Sequence, residues 1–139
     1  MAFDITQKRA TETAEIKLKN GDGSIMVGED GKPLTVTICG PASQTWKQAN
    51  AEVNRKRAKR VQEGGGKIAA ALEDATPDQV EFLCRITVKF NGDIEHPDAK
   101  NKGDLARAIY SDESLGFIRD QVYAEANAWD AFMPGSGSA

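Results

Sequence analysis

From Ala14 to Lys19 apolar and charged residues take turns: Ala14, Ile16 and Leu18 against Glu15, Lys17 and Lys19. A period of two is the signature of a strand with one wet face. Asn20-Gly21-Asp22-Gly23 then reads as a turn, because Asn, Asp and Gly tolerate positive φ. Ile25, Met26 and Val27 form a short second run, and residues 28–33, rich in Gly and ending in Pro33, turn the chain again. Leu34, Val36 and Ile38 alternate with Thr35, Thr37 and Cys39, which is the clearest strand in the chain. The pattern predicts a small antiparallel β-meander over 14–39. Such a sheet is marginal alone, so its apolar face needs helices to cover it.

After Gly40-Pro41 the period lengthens to that of a helix. Ser43 is a fitting cap for a helix over 42–63 with a thin stripe of Trp46, Ala49, Val53 and Val61, and Gly64-Gly65-Gly66 stops it as a loop or hinge. Thr76-Pro77-Asp78-Gln79 has the form of a capping box with Pro at the first helical position. The run that follows supports two readings. Val80, Leu83, Cys84, Thr87 and Phe90 suit a helix, while Phe82, Cys84, Ile86, Val88 and Phe90 alternate like a strand. The cap tips the expectation toward a helix over 77–90. Two more helices are expected over 102–110 and 114–132, the second with a stripe of Leu115, Ile118, Val122, Ala126, Trp129 and Phe132. Pro134 ends it, and 134–139 reads as a flexible tail. The expected fold is α+β: one domain over 1–133, an N-terminal antiparallel meander followed by a mainly helical C-terminal part.

With 139 residues, 40% hydrophobic and 28% charged, the chain has the composition of a globular protein rather than a disordered one. Acids outnumber bases 21 to 18, for a formal net charge of -3, so no global positive field draws in nucleic acid. The polar N-terminus lacks a signal-peptide core and no apolar run approaches the roughly 20 residues of a membrane helix. The expected location is the cytoplasm. Cys39 and Cys84 are isolated from any CxxC and read as reduced core thiols.

No arrangement of residues suggests catalysis, a metal or a cofactor. His96 is the only histidine and lies beside Pro97 in a polar loop, as a solvated surface histidine would. Neither glycine cluster matches a phosphate-binding loop. Glu29-Asp30 falls at a turn and Asp112-Glu113 at a helix start, where negative charge suits the helix dipole. The basic run around Arg55, Arg57 and Arg60 spreads over more than half of a helix circumference and has no interleaved aromatics for base stacking. It reads as a solvated face able to dock an acidic partner protein, and nucleic acid is not an expected partner. Trp46, Leu115, Ile118, Trp129 and Phe132 complete the candidate protein-binding set. The inner end of the last stripe is expected to pack in the core, and its outer end, Trp129 and Phe132, to stay partly exposed for a partner.

The order of features carries a resemblance. A short meander leads into a helix opened by Gly40-Pro41-Ala42-Ser43 and a basic stretch. Then come Phe90-Asn91-Gly92, a polar loop, Leu105-Ala106-Arg107-Ala108-Ile109-Tyr110, Leu115-Gly116-Phe117-Ile118-Arg119-Asp120-Gln121-Val122, and Trp129 to Phe132. This resembles the tail assembly chaperones of long-tailed phages and prophages, most strongly from Phe90 to Phe132. The resemblance implies a non-enzymatic role in virion morphogenesis. It implies binding to the tape measure protein and help in recruiting tail tube protein, with the chaperone acting in the bacterial host cytoplasm and absent from the mature virion. A homo-oligomer is compatible with it. A structural tail or head-tail joining protein and a small nucleic-acid-binding regulator are the competing classes.

Overall fold

The computed structural model describes residues 2–63 and 75–133. Two strands come first, β1 (Thr13–Lys17) and β2 (Thr35–Cys39). They pair antiparallel, with Ile16 opposite Val36 and Ala14 opposite Ile38. Helices α1 (Gln44–Glu63) and α2 (Ala75–Ile86) follow, then β3 (Thr87–Asn91). Helices α3 (Leu105–Ser111) and α4 (Gly116–Ala126) close the described chain, with short 3-10 turns at Glu113–Leu115 and Asp130–Phe132. The sheet order is β1-β2-β3, antiparallel throughout. The architecture is α+β, with the first two strands early and the helices mainly after them.

The third strand is not the one the pattern predicted. The run Ile25-Met26-Val27 contributes only isolated bridges, Lys19 to Ile25 and Val27 to Pro33. Leu18, Met26 and Leu34 instead close a ring of three backbone bonds. Leu18 N–H donates to Leu34, Met26 N–H to Leu18, and Leu34 N–H to Met26, each at 2.9 Å. Three residues between two tight turns are too short to sustain a ladder.

The third strand is residues 87–91, taken from the expected helix over 77–90. The helix stops at Ile86 and passes directly into β3. Thr87 and Val88 are β-branched, stiff in a helix and suited to a strand. Pairing with β2 sets Phe90 opposite Val36, with a register irregularity where Ile38 meets Thr87. Asn91 Nδ2 donates to Thr35 Oγ1 at 2.9 Å and to Thr37 Oγ1 at 3.1 Å, locking that register from the polar face of the sheet. Gly92 then takes φ +107°, and a Cβ there would meet Leu34 at 2.6 Å, so the turn out of β3 needs glycine twice over.

The core lies between the other face of the sheet and the helices. Ile16, Val36 and Ile38 meet Val53, Leu83, Ile86, Ile109, Val122 and Phe132 in one buried cluster. Ser43 caps α1 as expected, its Oγ accepting from Trp46 N at 3.1 Å. The last helix ends at Ala126 rather than running to 132, and the chain turns back. Gly64-Gly65-Gly66, Pro134 and the tail over 134–139 lie outside the described residues. No helix among the described residues is long and apolar enough to cross a membrane.

Candidate protein-binding surface

The basic stretch of α1 divides: Arg57 and Arg60 face α2, whereas Arg55, Lys56 and Lys59 are exposed. Asp78 on α2 is buried, and Arg60 Nη1 donates to its Oδ1 at 3.0 Å while Nη2 donates to Oδ2. Arg57 Nε lies 3.7 Å from the same carboxylate. Glu52 pairs with Arg85 across the α1–α2 seam and lies 3.8 Å from Lys56; Lys59 lies 3.9 Å from Glu63. Arg55 is exposed and has no ion-pair partner among the described residues. Of the three candidate arginines, two bind the fold together and Arg55 alone projects freely. The missed residue is Asp78. Its signal was an acid in the first turn of an apolar helix that follows a basic one.

Trp46 is a joint between elements. Its Nε1 donates to Ala126 O at 2.8 Å, and its ring meets Phe82 edge-on at 5.7 Å between centroids. Phe82 in turn meets Tyr123 edge-on at 6.0 Å. This ties α1 to α2 and α4. Ile118 is buried in the core and Leu115 packs partly against it, so the inner end of the stripe behaves as expected.

The outer end divides. Phe132, expected at a partner interface, is fully buried. The turn after α4 carries it back to the start of the sheet, where a Cβ on Gly40 would lie 2.5 Å from its ring. Its carbonyl accepts from Thr11 N at 2.6 Å and from Thr11 Oγ1 at 3.0 Å. Trp129 is 52% exposed. It stands between two residues, Ala126 and Phe132, that are both buried outright. An indole mounted on fixed flanks loses little freedom when a partner covers it, which is the arrangement of an interface anchor.

Further apolar side chains are exposed elsewhere: Phe3 and Ile5 on the N-terminal arm, Ile25 and Val27 on the excursion between β1 and β2, Val88 on β3, and Phe117 on α4. The two sheet edges differ. The β1 edge is covered by the Asp130–Phe132 turn. The outer edge of β3 has no backbone hydrogen bond to any described residue outside its ladder. Beside it runs a groove of about 390 Å³ lined by Cys84, Val88, Phe90, Ile94, Leu105 and Ala106.

His96 is not the solvated residue its loop suggested. Its side chain is 8% exposed. Nδ1 accepts from Asp98 N–H at 3.1 Å, which places the ring proton on Nε2, and Nε2 donates to Asp112 Oδ2 at 2.9 Å. This bond and the Ser114 N–H bond at 3.0 Å hold the Asp112 carboxyl below its ordinary pKa. The pair ties the 92–104 loop to the start of the α4 segment. Among the described residues no three His, Cys, Asp or Glu side chains gather as a metal site. Cys39 and Cys84 are free thiols, both half-buried, and burial pushes each pKa up.

Compared with family models, curated proteins and solved structures, the chain matches none.

Proposed function

We propose that this protein is a tail assembly chaperone of a long-tailed phage or prophage. It binds the tape measure protein in the host cytoplasm and helps recruit tail tube subunits, without catalysing a reaction. The sequence resemblance motivates the reading, and the exposed Trp129 on its fixed mount is the observation that supports it best. A chaperone for a long apolar helical client needs apolar anchors on a surface that stays soluble, and a contact small enough to be displaced. Arg55 adds a free positive charge for an acidic stretch of the client. The regulator reading loses support from the pairing of Arg57 and Arg60 with Asp78, which withdraws two of its phosphate-binding candidates.

Co-expression with the neighbouring tail proteins tests this. Trp129→Ala is expected to keep the melting temperature and lose the tape measure protein in a pull-down. Val122→Ala, which empties a fully buried site, is expected to cost about 2 kcal/mol of stability and keep the contact in the folded fraction. Equal retention of the client by Trp129→Ala defeats the assignment of Trp129. Stoichiometric presence of the chain in purified virions points to a structural tail or joining protein instead.

A further inference from the structure

The N-terminal arm before β1 and the β3 edge carry complementary patterns, each unmatched among the described residues. Phe3-Asp4-Ile5 reads apolar, acidic, apolar, and Val88-Lys89-Phe90 reads apolar, basic, apolar. Phe3 is 62% and Ile5 72% exposed, and no residue of the Ile5–Lys8 turn is buried. Val88 is 56% exposed beside the groove that it lines with Phe90. Asp4 and Lys89 have no ion-pair partner among the described residues. We propose that the arm of one copy adds as a fourth, antiparallel strand to the β3 edge of a second copy, and that two copies exchange arms reciprocally. Asp4 then lies opposite Lys89 and Phe3 beside Phe90, while Ile5 meets Val88, the residue that β3 carries in excess where its register to β2 shifts.

An open strand edge offers its outward N–H and C=O groups to an extended segment, and alternate side chains set the register. Opposite charges directly across a ladder stabilise it, whereas pairing of β3 with another β3 centred on this residue would set Lys89 against Lys89. The arm gives up little to dock: one 3-10 turn held by Asp4 Oδ1, which accepts from Thr6 N at 3.0 Å and Thr6 Oγ1 at 2.6 Å in full solvent. Asp4 already has extended backbone angles, φ -76° and ψ 100°.

The arm's own β3 is a poor target. Thr11 is tied to Phe132 at the β1 side, the opposite edge of the sheet. Six residues from Ile5 to Thr11 reach about 20 Å when straight, against roughly 14 Å across three strand spacings. Docking in the same chain thus uses up most of the arm's reach in crossing the sheet, a demand that a second copy does not face.

Sedimentation equilibrium of the full chain tests the proposal with Asp4→Lys, Lys89→Glu and the double exchange. The wild type is expected to dimerise. Each single change is expected to weaken the dimer by about fivefold or more, and the double exchange to restore it. Both side chains are exposed, so melting temperatures of all four monomers should agree, separating this result from misfolding. A wild type that stays monomeric, singles that associate like the wild type, or a double exchange without recovery overturns the proposal. Mixing an Asp4→Cys chain with a Lys89→Cys chain should give a covalent heterodimer under mild oxidation. A chain carrying both cysteines that crosslinks only within itself would show docking in the same chain and overturn the second-copy assignment.

Discussion

The carboxylate of Asp78 lies beneath two guanidinium groups with almost no solvent around it, so its partners replace most of its lost hydration. Asp78→Ala is therefore expected to cost about 2 kcal/mol, read by urea unfolding, with the loss concentrated in the α1–α2 contact. Arg55→Glu, on the free side of α1, is expected to leave stability within about 0.5 kcal/mol of wild type. Reversing Arg57 or Arg60 sets a second negative charge against Asp78 and disturbs the fold before any partner. The three arginines are indistinguishable in sequence, since all share one basic stretch. What separates them is which of them face α2, and that depends on contacts between residues 18 or more positions apart. Phe132 shows the same limit. Its helical spacing from Trp129 suggested a shared fate, but the helix ends at Ala126 and the two side chains part, one into the core and one toward solvent.

Local chemistry was legible wherever the stabilising partner is near in sequence. The Ser43 cap bonds three residues ahead, and the alternation over 14–18 and 34–38 gives β1 and β2. β3 was misread because the helix-start signal Thr76-Pro77-Asp78-Gln79 is local in the sequence, although the helix already begins at Ala75, whereas the β3 ladder to Val36, more than fifty residues away, is not. His96 was misread for a like reason: Asp112 lies sixteen residues on. That contact gives α3, α4 and their linking turn a measurable dependence on acid. The Asp112 carboxyl is held below its ordinary 3.8, first by the His96 bond and then by Ser114 N–H. A depressed carboxylate adds stability that is fully present above the unfolded-state pKa and is lost as pH falls through the folded one. Asp112→Asn is thus expected to be less stable than wild type at about pH 6, with the gap closing as pH falls below about 4. Urea melts of both proteins across that range check it, and a gap that stays constant counts against the assignment.

The two tryptophans sit at opposite poles of the molecule's physics. Trp46 is bonded to Ala126 O and stacked edge-on against Phe82, within the packing that joins α1, α2 and α4. Trp129 stands half in solvent on a turn whose flanks are buried. The chain has no other tryptophan, so each can be read alone through its emission. A Trp129→Phe protein reports only Trp46. Its emission should be blue-shifted in the native state, move red on heating together with the far-UV circular dichroism signal, and stay unchanged when the tape measure protein is added. Coincidence of the two melting curves is expected because the sheet and helices share one buried cluster. A Trp46→Phe protein reports only Trp129. Its emission should be red-shifted in the free chain and move blue as the client covers the indole. The pair of variants thus separates folding from binding in one measurement. A Trp129 spectrum that ignores the client while a complex forms would move the client's contact elsewhere on the surface, whereas a Trp46 spectrum that changes on binding would mean that the client opens the joint between α1 and α4.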